Sequence, residues 1–110
     1  MNPINSKLNE DNLRELLDLR YRLNALLDSV CQITYLSKEE LTGRSRKPEI
    51  ADVRSSFMAI ARESYPYASF SLIGEIVNRD HSTVIAAIRR TKEIKETRMI
   101  KQSIKFELEH

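Results

Sequence analysis

Two glycines and three prolines are the whole supply of chain-breaking residues in these 110 positions. Gly43, Gly74, Pro3, Pro48 and Pro66 are too few and too far apart to close a set of hairpins, which need glycine, asparagine or proline at each reversal. Between them apolar residues return at spacings of three and four, and strand-like alternation is hard to find. The expected class is therefore all-α. No internal repeat or low-complexity tract interrupts the pattern. A chain of this length with 41% hydrophobic residues can close one core, which excludes a large multidomain enzyme.

Cys31 is the sole cysteine, so neither an intramolecular disulfide nor a Cys/His zinc cluster can be assembled. This favours a reducing interior. The residues after Met1 lack the charged start and apolar run of a signal peptide, and no apolar stretch approaches the roughly 20 residues of a membrane span. The expectation is a soluble, cytoplasmic, nucleoid-associated protein without a membrane partner. The net charge of +2 is unevenly placed. Residues 1–43 hold five Lys/Arg against seven Asp/Glu, net −2, and residues 44–106 hold thirteen against seven, net +6. The second segment suits a polyanionic partner, although solvated helical faces show similar excesses.

The first long helix is expected from about Asp11 to Tyr35, where Leu16, Leu19, Leu23, Leu26, Val30 and Ile33 form a seam of under three heptads. Such a seam packs an arm, residues 1–36, onto its own domain or pairs it with a second copy, Leu13, Leu17 and Leu27 widening the surface. Residues 37–107 form the main domain, and 108–110 resemble an expression-tag remnant. Ser37 and Glu40 have capping-box spacing for a short helix that ends near Gly43. Arg44-Ser45-Arg46-Lys47 is a basic connector, and Pro48 opens a helix whose buried stripe is Ile50, Val53, Phe57, Ile60 and Ala61, with Arg54 at its margin. Tyr65-Pro66-Tyr67 stops that helix; a packed corner explains these tyrosines better than base stacking.

Ser69 then caps a helix over Phe70–Val77, Asn78-Arg79 turns, and Asp80 caps the final helix. A short helix, a tight turn and a second helix with small polar residues at its start outline a helix-turn-helix, here Trp-repressor-like with an additional long N-terminal helix. Val84, Ile85 and Ile88 are expected to anchor the last helix, while Ser82, Thr83 and Ala86 face away. On a helical wheel His81 falls near the anchoring side, so it reads equally as a structural or capping residue and as one that reaches off the helix end.

Arg79-Asp80-His81-Ser82-Thr83-Val84, with Ser69-Phe70-Ser71-Leu72-Ile73-Gly74 before it, resembles the signature of the C-terminal DNA-binding domain of the bacterial replication initiator DnaA. The resemblance runs from about Leu41 to Ile94. It implies a double-stranded DNA partner, of the DnaA-box type, in replication or its regulation. It places His81, Ser82 and Thr83 at base edges in the major groove with Arg79 and Asp80 close by, Arg46 in the adjacent minor groove, and Arg54 on DNA from the supporting helix. Arg89 and Arg90 are expected at phosphates; from Lys95 onward the basic residues read as a solvated face. Ser55 stands where the family usually has glutamine, Ser71 where it often has proline, and the turn before Arg79 is one residue shorter than the usual form.

The full initiator carries an ATPase domain, and a phosphate-cradling Gly-x-x-x-x-Gly-Lys-Ser/Thr string is absent from this sequence. The chain is expected to be an excised domain or a free-standing module, with no catalytic, metal or cofactor site. The alternative function is a helical interaction module that pairs through the Leu16–Ile33 seam.

Overall fold

The computed structural model describes residues 3–110, with side chains from Glu10 onward; the first two residues of the expected arm lie outside the described residues. These residues form six helices: α1 (Pro3–Thr34), α2 (Lys38–Thr42), α3 (Pro48–Ser64), α4 (Phe70–Val77), α5 (His81–Glu93) and α6 (Lys95–Glu109). No strand occurs among them.

The first helix starts eight residues earlier than the apolar seam requires and ends where Tyr35 takes a left-handed φ of 60°. Its seam does not have one environment. Leu23, Leu27 and Val30 are fully buried, and Leu19, Leu26 and Ile33 pack half-buried against the core. Leu16 is 40% exposed, and Leu13, Leu17 and Tyr21 are exposed with it. Leu27, expected on the widened outer surface, is instead a core residue. The second half of α1 thus packs on its own domain, while the first half keeps an uncovered apolar face.

The capping box forms as its spacing predicts: Glu40 N–H donates to Ser37 Oγ and Ser37 N–H to Glu40 Oε1, both at 3.0 Å. Pro48 opens α3, the central helix, which packs against α1, α2, α4, α5 and α6. Ile50, Val53, Phe57, Ile60 and Ala61 are buried as expected. Because neighbours cover α3 on all sides, Asp52, Arg54, Ser55 and Ser56 are buried too. A surface helix would leave such polar residues in water.

The expected single final helix is two helices. Ile94 adopts an extended conformation, φ −101° and ψ 118°, between α5 and α6. No glycine or proline marks the break. It lets α6 fold back across α3, burying Thr97 and Ile104 and bringing Lys101 and Lys105 to Glu63. The solvated reading from Lys95 onward therefore fails at Lys101, which is half-buried in that pair. Leu108 also packs half-buried against the core.

Candidate functional site

The α4–α5 turn is built by main-chain bonds that glycine permits. Arg79 N–H donates to Gly74 C=O at 2.8 Å and Asn78 N–H to Glu75 C=O at 3.3 Å, with Asn78 left-handed at φ 60°, ψ 48°. This is a Schellman closure with asparagine at the left-handed position. A Cβ on Gly74 would stand 2.1 Å from the Arg79 carbonyl oxygen and 3.1 Å from Val84 Cγ2. Close approach of α4 to the start of α5, rather than backbone conformation, requires the glycine. The shortened turn survives in this form.

Asp80 then caps α5: its Oδ1 accepts the Thr83 N–H at 2.9 Å. That bond lowers the Asp80 carboxyl pKa below its ordinary value. His81, Ser82 and Thr83 project from this first turn, all exposed. His81, which the wheel set near the anchoring side, is exposed. Val84, Ala87 and Thr91 form the buried side of α5. Ile85, expected as an anchor, is 37% exposed, and Ile88 is half-buried. Small exposed residues at 82, 83 and 86 leave this part of the helix open to close approach.

The arginines divide into two groups. Arg44, Arg46 and Arg89 are exposed. Arg54, Arg79 and Arg90 are each held by the protein. The resemblance implies a DNA contact for Arg54, which in the fold is 6% exposed and bonded to the protein. Its Nε donates to Leu41 C=O at 2.7 Å, and its Nη2 donates to Glu40 C=O at 3.1 Å and Gly43 C=O at 3.4 Å. It satisfies the carbonyls at the end of α2. Burial, and then the neighbouring Arg79 charge, push its pKa down. Arg79 reaches the same Gly43 carbonyl through Nη2 and bonds Val77 and Asn78 C=O at 3.0 Å each through Nη1. Gly43 is therefore a joint between the basic connector and the turn that starts α5.

Around this joint lies a cleft lined by Arg44, Ser45, Arg46, Ala51, Arg54, Asn78 and Arg79, with no carboxylate in its wall. A second groove continues along α3 and α5, past Ser55, Met58, Thr83, Ala86 and Arg90. The two share Ala51, Arg54 and Arg79, so the connector, α3 and the start of α5 line one continuous surface. Concentrated cationic side chains beside a row of small and hydroxylic ones offer electrostatic attraction next to hydrogen-bonding specificity.

Arg90 has a partner that sequence reasoning missed. Its Nη2 lies 3.2 Å from Asp52 Oδ1, which also accepts Thr97 Oγ1–H at 2.9 Å. An acid inside a helix covered on all sides leaves no periodic signal, and Thr97 meets it only because α6 folds back. Among the described residues no group of three His, Cys, Asp or Glu side chains is placed to hold a metal. Nor is any helix among the described residues long and apolar enough to cross a membrane. Burial pushes the Cys31 thiol up, away from the reactive thiolate form.

The model of the bacterial dnaA protein helix-turn-helix family matches residues 23–100. The chromosomal replication initiator protein DnaA of Mycoplasma pneumoniae is 32% identical over 97 residues, which cover 81% of this chain and 22% of that protein. The protein of the same name from Pseudothermotoga lettingae is 37% identical over 71 residues, 63% of this chain and 15% of its own. That from Thermus thermophilus is 41% identical over 63 residues, 56% and 14% respectively. The chain spans about a fifth or less of the length of these relatives. No solved structure matches it significantly.

Proposed function

The chain belongs to the bacterial DnaA helix-turn-helix family, and on that premise we propose that it is a sequence-specific reader of double-stranded DNA rather than an enzyme. The observation that carries this reading is the joining of two surfaces. The capped, exposed first turn of α5 stands beside a cleft whose arginines face no carboxylate. In the proposed complex His81, Ser82 and Thr83 meet base edges in the major groove, where a hydroxyl can donate or accept and the threonine methyl can meet thymine. Arg44 and Arg89 contact phosphates, and exposed Arg46 reaches the adjacent minor groove. Arg54 and Arg79 hold these parts in register from behind.

The proposed site is a short duplex of the DnaA-box type, and the proposed role is in chromosome replication or its control, inside the compartment that holds the chromosome. Selection of bound sequences from a random duplex pool, followed by titration at several salt concentrations, tests the reading. The expected result is a defined consensus with affinity that falls steeply as salt rises, because each neutralised phosphate releases counterions. Recovery of no consensus, or binding indifferent to salt, would refute it.

A second reading concerns self-association through α1, favoured by exposed Leu13, Leu16, Leu17 and Tyr21 on its first half. Leu23 and Val30 are already occupied by the core, so pairing would use only the uncovered half rather than the full seam. Light scattering at micromolar concentration tests it: a dimer that dissociates in Leu13→Glu/Leu17→Glu supports this reading, and a monomer ends it.

A further inference from the structure

Asp52 is the acid within α3 that takes Arg90 from across the domain. Its side chain is 11% exposed, and that of Arg90 is 44% exposed. Arg90 Nε and Nη2 lie 3.4 and 3.2 Å from Oδ1, and Thr97 Oγ1–H holds the same oxygen from α6. Along α5, Arg90 follows Thr83 and Ala86 at spacings of three and four, so it lies on the same face two turns from the helix start. It lines the groove between α3 and α5, and its side chain is partly open to solvent.

We propose that Asp52 is an internal rival of DNA phosphate for Arg90, and that it limits the electrostatic grip of the reading surface. This rests on the DNA-binding reading above. A carboxylate anchored by a hydroxyl offers a guanidinium what a phosphate oxygen offers: a negative acceptor at hydrogen-bond distance. The two acceptors compete for one cation. The carboxylate is intramolecular, pre-positioned and shielded from solvent, whereas a phosphate must displace it. Arg90 accordingly stays with the protein on any duplex, and the interface loses one phosphate contact that the count of arginines would assign to it.

Releasing Arg90 restores that contact. Asp52→Asn keeps the shape and an oxygen for Thr97 while removing the charge that competes. Each added phosphate contact steepens the dependence of log affinity on log salt by about 0.9. Titration of a 20-base-pair duplex between 200 and 50 mM salt is expected to give Asp52→Asn about 3.5-fold more gain in affinity than the parent, the fourfold dilution raised to that slope. Asp52→Asn/Arg90→Ala is expected to match Arg90→Ala, because the effect passes through Arg90 alone. Thermal melts verify folding, and Asp52→Ser, also uncharged, carries the same test where the amide disturbs α6.

An unchanged slope in folded charge-neutral variants overturns the proposal. So does a shallower slope, which would mean that Asp52 aims Arg90 at DNA, or a steeper one that persists without Arg90. These outcomes leave the DNA-binding reading standing, since the parent still binds with a salt slope. A parent that shows no salt-dependent duplex binding refutes both.

Discussion

Thr83 and Arg54 line the same groove, yet they present opposite problems. Thr83 is exposed at the start of α5, its N–H bonded to Asp80 and its side chain facing out. Arg54 is buried one layer behind, its guanidinium divided among three carbonyls of residues 40–43. The resemblance implies DNA contact for both residues, yet their environments differ: one is open to solvent and the other is bonded to the protein backbone. A charged group can hold a connector in place as well as it can hold a phosphate, and the fold decides which. The front of the site is small, polar and open; the back is cationic and fixed to backbone oxygens.

The largest expected effect comes from breaking the turn that front and back share. Gly74→Ala would force a Cβ against the Arg79 carbonyl, costing about 3 kcal/mol as the turn shifts. Urea denaturation should show it, with duplex binding lost along with the α5 geometry. Arg54→Ala comes next. It removes the donor that the buried Leu41 carbonyl and the part-buried Glu40 carbonyl share, for a loss of about 2 kcal/mol in urea denaturation, while the salt slope for DNA stays that of the parent. A slope reduced by about one with stability intact would make Arg54 a phosphate contact and erase the contrast.

A smaller effect is expected at the Asp80 cap. Its native pKa is lowered by the Thr83 N–H bond, so its stabilisation is present above the unfolded value of about 3.9 and fades as pH falls through the native value. Asp80→Asn retains a capping oxygen without charge. The parent should melt above this variant at pH 6, and the difference should shrink on acidification below about pH 4; a constant difference would assign no role to the charge. The least effect on stability is expected from His81→Ala and Thr83→Val, within about 0.5 kcal/mol for surface positions. Their mark is on binding, as a loss of discrimination between matched and scrambled duplexes of about 1–3 kcal/mol per base contact. Equal weakening on both duplexes would move these residues out of the reading role.

The helix-turn-helix was legible because its determinants are local. Ser69, Asp80 and the Ser37–Glu40 pair act within one turn of themselves, and Asn78 tolerates a left-handed conformation wherever it stands. The exposed positions of Ser82, Thr83 and Ala86 followed from period alone. The internal partners of Arg54 and Arg90 and the 37% exposure of Ile85 were not legible in the sequence. The partners of the two arginines lie 11 to 38 residues away, and a wheel drawn on one helix does not contain them.

By itself the sequence determined an all-helical chain and the capped turn before α5, since backbone hydrogen bonds and short-range spacing specify both, and its Arg79 to Val84 string carried the resemblance to the family. Tertiary structure alone decided that α1 is half core and half uncovered, that the last helix breaks at Ile94, and that the arginines split between surface and scaffold. The physical reason is that burial and charge pairing belong to pairs of groups brought together in space. Gly43 offers one carbonyl to Arg54 and Arg79, and Asp52 offers one oxygen to Arg90 and Thr97, only once the other five helices have closed around α3.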